Sequence, residues 1–167
     1  MLFQEISDEI IAMGKEDQMM RNGIIDGTTE WDVSIDVRNT KRMKEIIEQI
    51  GWPAKSKVGE DASNIAWLLV QHADHDPDFQ ETCLNLMKEL PETEVEMRNI
   101  AYLTDRVCVN KNRAQLYGTQ FFGLGETYGP RPIFEIEHID ERRKQMGMEP
   151  FVEYAERMKK SQKGFKM

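Results

Sequence analysis

The densest run of reactive side chains in the sequence is Gln71-His72-Ala73-Asp74-His75-Asp76. Imidazole titrates near neutrality, at a pKa of about 6.5, so it can give or take a proton under ordinary conditions. Together with carboxylates it is also a ligand type that divalent cations accept. His72 and His75 are three positions apart and would share a helical face, with Asp76 or Asp105 as carboxylate partners. Against a metal stand the absence of HExxH and CxxC patterns and the position of Pro77, which starts a new helix beside the cluster. A His/His-Asp/Asp hydrolase would need a histidine upstream of His72, and the chain has none. His72 also follows Leu68 by four positions and Ile65 by seven, which puts it on an apolar helix face. Three roles are open to it: a hydrogen-bonded core histidine, a general acid or base, or a metal ligand. His75 reads as an exposed capping residue.

Three further polar groups could join His72. Asp105 and Arg106 are adjacent, so on a helix they point about 100° apart, and a guanidinium turned inward would hold a carboxylate or phosphate through its planar fork. In Gln115-Leu116-Tyr117-Gly118-Thr119-Gln120, strand alternation puts Gln115, Tyr117 and Thr119 on one face and Gln120 on the other. Gly118 would admit a ligand or another backbone. Asp17, Gln18 and Arg21 form the third group, near the end of the first helix, where solvation of the helix end is the alternative. Lys55-Ser56 lacks the glycine of a phosphate-binding loop, and Gly123-x-Gly125 is a turn signal.

The elements that must position these groups are mostly helices. Phe3, Ile6, Ile10 and Met13 recur at steps of three and four and predict a helix to about Arg21, stopped at Asn22-Gly23. Met43, Ile46, Ile47 and Ile50 predict a second, ended by Gly51, and the segment 52–60 reads as an ordered loop anchored by Trp52. Ile65 to Val70 is apolar all round, which predicts a central helix capped by Asp61 or Ser63. Asp76-Pro77 opens a fourth helix that ends near Pro91, and a fifth is expected from about Glu94 to Val107. Gln115 to Phe122 and Ile133 to Ile136 predict a small β-hairpin, and 140–160 two short helices broken at Gly147 to Pro150. The expected fold class is thus mainly α, a single-domain helical bundle over 1–167 with a β-hairpin in its C-terminal half and a flexible basic tail from about 160.

Composition narrows the partners. With 167 residues, 40% apolar and 31% charged, the chain can bury one ordinary core. The net charge of −8 opposes a phosphate backbone. Its basic clusters, Arg142-Arg143-Lys144 and Lys159, Lys160, Lys163 and Lys166, read as a solvated helix face and a frayed end, so nucleic acid is not the expected partner. No signal-like start and no stretch approaching about 18 apolar residues is present, which points to a cytoplasmic protein with no membrane partner. Cys83 and Cys108 are expected as free thiols.

Six strings carry a resemblance: DQMMR (17–21), GWPAKSKVGEDAS (51–63), AWLLVQHADHDPDFQ (66–80), NIAYLTDRVCVN (99–110), QLYGTQ (115–120) and DERRKQMG (140–147). With them the chain resembles an uncharacterised bacterial family of domains of unknown function. The resemblance covers most of the chain and implies a fold and a set of polar positions, without an attached reaction. Those positions include Gln71, His72, Ala73 and Asp74, the Asp105-Arg106 pair, and Gln115 with Tyr117 to Gln120. His75 and Cys108 read as variable, which favours a site without metal or cofactor.

Two function classes follow. One is a metal-independent hydrolase or transferase acting on a small polar or anionic molecule at a shared cleft. There His72, Asp105 and Tyr117 would be catalytic, and Arg106, Gln115, Thr119, Gln120, Gln71 and Arg21 would bind substrate. The other is a binding or interaction module whose polar groups fix a loop-rich core. A His/Asp metal-dependent hydrolase is the third alternative.

Overall fold

The computed structural model describes residues 2–163. They form eight α-helices and a two-stranded antiparallel sheet, and the chain divides between Glu96 and Met97 into two compact units.

The first unit is built from α1 (Gln4–Ile25), α2 (Val33–Ile50), the one-turn α3 (Lys55–Val58), α4 (Glu60–Gln71) and α5 (Pro77–Lys88). The helices α1 and α2 run antiparallel, as three ion-pair rungs show: Arg42 to Glu9, Arg38 to Glu16 and Arg21 to Asp36. Along α4 the order is reversed. The Ser7 hydroxyl donates to the Val58 carbonyl, Gly14 abuts Ile65, and Asp17 meets His72, so α4 runs parallel to α1. Gly14 permits the approach, because a Cβ there would lie 2.3 Å from Cγ2 of Ile65. α4 is the central helix of this unit, in contact with α1, α2, α3 and α5. Met43, Ile46, Val58, Ala66, Leu69, Val70 and Met87 fill the core.

Local chemistry sets the helix ends. Asp76 accepts a hydrogen bond from the Phe79 amide at 3.1 Å and Pro77 takes the first helical position, as that sequence pair predicts. Gly51, at φ 67°, closes α2. α4 is preceded by Gly59 and has no side-chain cap, so neither Asp61 nor Ser63 caps it, and two further bounds differ from expectation. α1 runs on to Ile25, and α2 begins at Val33, ten residues before Met43, capped by Asp32, whose carboxylate accepts from the Ser34 amide. The segment after Trp52 is not wholly a loop, since 55–58 turns once as a helix.

In the second unit α6 (Met97–Asn110) leads through an irregular segment to β1 (Phe121–Phe122) and β2 (Gly129–Pro130), with Phe121 opposite Pro130 and Phe122 opposite Gly129. α7 (Ile139–Gln145) and α8 (Phe151–Lys163) follow, broken as expected at 146–150. The remainder of the basic tail lies outside the described residues. The hairpin is much shorter than the sequence suggests. Gln115 to Gln120 does not extend, because a side-chain carboxylate captures its amides, and Ile133 makes only an isolated bridge to Gln115. Nor is the 142–144 cluster wholly a solvated face, although Lys144 is exposed. Arg143 is 1% exposed, and Arg142 donates to the carbonyls of Leu116, Phe134 and Glu135. Neither cysteine is in a disulfide, and Cys83 is buried with its thiol pushed up to about 12 by desolvation. Among the described residues no helix is long and apolar enough to cross a membrane.

Candidate functional site

His72 sits at the C-cap of α4, where the helix ends and the ring leaves the apolar stripe. Its Nδ1 lies 3.0 and 3.1 Å from the two carboxylate oxygens of Asp17 on α1. Asp17 is fully buried, and it also accepts from Gln18 Nε2 at 2.8 Å and from Arg21 Nε at 3.2 Å. Arg21, one turn along α1, reaches with its Nη2 to Asp36 on α2 at 2.6 Å. The exposed ring of Trp31 lies 4.7 Å from the Arg21 guanidinium, in cation–π geometry. The His72 side chain keeps 15% exposure, and among the described residues its Nε2 has no hydrogen-bond partner.

Two carboxylates here face opposite electrostatic outcomes. For Asp17, burial opposes ionisation, but the hydrogen bond and charge of His72, the Gln18 amide and the Arg21 charge outweigh it and hold the carboxyl below its ordinary value. For Asp36, burial wins over the Arg21 and His72 charges, and the pKa is raised. With His72 neutral the group carries two negative charges and one positive.

The second unit assembles most of the other sequence candidates. Asp105, on α6 and fully buried, accepts from the amides of Leu116, Tyr117 and Thr119 at 2.7 to 3.2 Å and from the Thr119 hydroxyl at 2.9 Å. Desolvation nevertheless raises its pKa. Gln115 is fully buried and spans the Gln120 amide and the carbonyls of Gln120 and Arg131. Arg106 Nη1 donates to Gln120 Oε1 at 2.9 Å, and Gln120 Nε2 to the Thr119 hydroxyl at 3.1 Å. Tyr117 has its phenol pKa raised by burial. Gly118, at φ 70°, is approached by the Phe151 ring, 2.5 Å from where a Cβ would stand. Asp105, Arg106, Gln115, Tyr117, Thr119 and Gln120 are thus brought together, chiefly with their polar groups bonded to one another or to backbone.

Of the remaining candidates, His72, Arg21 and the buried Gln71 belong to the first unit, apart in chain from this set. His75 is exposed. Sequence reasoning placed Arg21 with His72 as a substrate-binding residue and noted Asp17 in the same polar group, but it gave Asp17 no role beside the ring and missed Asp36. One ligand atom each of Asp17, Asp36 and His72 lies within 4.8 Å of the others.

The chain is thus mainly helical, with a histidine–carboxylate pair at the end of the central helix of its first unit. A family model covering residues 4–167 places it in a family of unknown function, DUF6624, and the chain is a member of that family. Neither a curated protein nor a solved structure matches it.

Proposed function

We propose that the protein is a metal-independent enzyme, a hydrolase or transferase acting on a small polar or anionic substrate, with His72 as its general acid and base. One observation carries the reading: a fully buried carboxylate holds one ring nitrogen of His72, and the other has no protein partner among the described residues. An ionised Asp17 fixes the tautomer with the proton on Nδ1, so that the Nε2 lone pair is available to take a proton from substrate or water. The imidazolium then formed is stabilised by the same carboxylate, and Nε2–H returns the proton to the leaving group. Arg21 holds Asp17 in place and Asp36 holds Arg21, which keeps the pair in register.

The test is a screen of chromogenic phosphomonoesters, carboxyl esters, amides and glycosides with the full chain. Activity should fall about 10²–10⁴-fold in His72→Gln and clearly in Asp17→Asn, with helical circular dichroism retained. Turnover unaffected by His72→Gln overturns the proposal. A chain that turns over nothing favours the binding module.

A second reading is favoured by the proximity of one ligand atom each from Asp17, Asp36 and His72. Two carboxylates and an imidazole suit a divalent cation. Arg21 now bridges both carboxylates, so a cation would have to displace its guanidinium. Elemental analysis after loading with zinc or manganese decides whether the site takes a metal: one metal per chain, lost in His72→Ala and bound more tightly in Arg21→Gln, would revive the metallohydrolase alternative.

A further inference from the structure

Arg143 is the most unusual charge in the second unit. Its side chain is 1% exposed, yet it forms no ion pair among the described residues. Nε donates to the Glu149 carbonyl at 2.7 Å and Nη1 to the Tyr117 carbonyl at 2.6 Å, while Nη2 is buried with no hydrogen-bond partner. The guanidinium also lies 4.8 Å from the Tyr154 ring. Carbonyl dipoles and an aromatic face compensate a buried cation only partly, and a buried charge without a counterion is costly. Desolvation accordingly lowers the Arg143 pKa.

Arg143 also lines a cavity of about 340 Å³, together with Arg98, Tyr102, Gly147, Met148, Glu149 and Arg157. Three guanidinium groups and one carboxylate give this wall a net charge of +2 in a chain whose total is −8. The carboxylate is not spare, because Glu149 pairs with Arg157. Arg98 and Arg157 are exposed and long, so both can swing over a ligand seated against Arg143.

We propose that this cavity is a binding site for the phosphoryl group of a small molecule, with Arg143 as its fixed inner cation and Arg98 and Arg157 as outer clamps. A phosphate monoester carries about −1.5 to −2 charges near neutrality and three acceptor oxygens, which matches the net charge of the wall and would give the unpartnered Nη2 of Arg143 an acceptor. The cavity has room beyond a phosphate ion, at the lower end of small-molecule pockets, and Tyr102 and Met148 offer an apolar wall for the remainder of the ligand. This site is independent of the His72 proposal and uses none of its residues.

Calorimetric titration of the full chain with inorganic phosphate and, separately, phenyl phosphate tests it, with sodium chloride balancing ionic strength. Saturable one-to-one binding of at least one is expected, and which of them binds says whether the site takes free phosphate or an ester. Arg98→Gln and Arg157→Gln, both at exposed positions that leave Arg143 in place, should each weaken binding about tenfold. Glu149→Gln should tighten it severalfold by releasing Arg157, a gain that structural damage would not produce. Absence of saturable binding for both ligands, or affinities within twofold of the parent in both arginine variants, overturns the proposal.

Discussion

The imidazole of His72 and the carboxylate of Asp17 meet at 3.0 Å across the α1–α4 contact, with Asp17 fully buried. A buried carboxylate facing one ring nitrogen dictates the tautomer. In the neutral ring, ¹⁵N nuclear magnetic resonance should show the His72 proton on Nδ1 and a bare Nε2, and Asp17→Asn should mix the tautomers. The same variant should cost roughly 2–4 kcal/mol in urea unfolding, since Arg21 loses one of its two counter-charges, the buried one. An Nε2–H tautomer in the parent would remove the geometric basis of acid–base function.

Asp17 and Asp36 should leave opposite marks on stability as pH falls. The Asp17 pKa is depressed in the folded chain. Its contribution is therefore present above the unfolded value, about 3.9, and is lost as pH falls through the lower folded value. The Asp36 pKa is raised, so the folded chain takes up a proton first and gains stability as pH falls through that raised value towards the unfolded one. Urea midpoints from about pH 7 to about pH 2.5 should show a shallower acid loss in Asp17→Asn than in the parent. In Asp36→Asn the gain just above the unfolded value should disappear. Parallel curves for all three proteins would contradict both assignments.

Asp36 also shows where sequence reasoning stops. The helix ends of α5 and α2 were legible because Asp76-Pro77 and Gly51 act locally, and so was the central α4 from its apolar run. The first half of α2 was not. It buries Ile35, Asp36, Asn39, Thr40 and Met43, which keep helical spacing, but three of the five are polar and leave no hydrophobic period to read. Its apolar residues Val33, Ile35 and Val37 alternate like a strand instead, and Val33 and Val37 are exposed. The overlong hairpin has a similar origin. QLYGTQFF has strand character, but Asp105, eleven or more positions away, claims its amides, and such long-range capture has no local signature. Arg143 looked solvated inside a basic run for the same reason: burial of a charge depends on partners distant in sequence.

Two glycines should behave differently on substitution. Gly14 has ordinary helical geometry, and only Cγ2 of Ile65, 2.3 Å from an added Cβ, stands in the way. Gly14→Ala should cost about 1–3 kcal/mol, most of it recovered against Ile65→Ala in a double-mutant cycle with a coupling above about 1 kcal/mol. Gly118 combines a close approach to the Phe151 ring with φ 70°. Gly118→Ala should destabilise the chain, and Phe151→Ala should rescue it only in part, because the backbone strain persists. Full rescue at Gly118, or none at Gly14, would contradict the contacts assigned to them.

The role of Asp105 can be separated from that of His72 by what each loses on neutralisation. Asp105 accepts three backbone amides and the Thr119 hydroxyl, so its carboxylate organises the segment that leads from α6 to β1. Asparagine at this position offers one acceptor oxygen in place of two and turns an amide donor towards N–H groups that already need a partner. Asp105→Asn should therefore cost about 3 kcal/mol or more in urea unfolding and accelerate hydrogen exchange at the amides of Leu116, Tyr117 and Thr119. Thr119→Val, which removes the hydroxyl's bond to Asp105 and the one it accepts from Gln120 Nε2, should cost about 1–2 kcal/mol and leave the three amides protected. His72→Gln, by contrast, keeps a polar side chain at a partly exposed helix end and should disturb neither measurement in the second unit. If Asp105→Asn leaves stability and amide protection unchanged, the carboxylate does not hold this segment, and its burial must serve some other end.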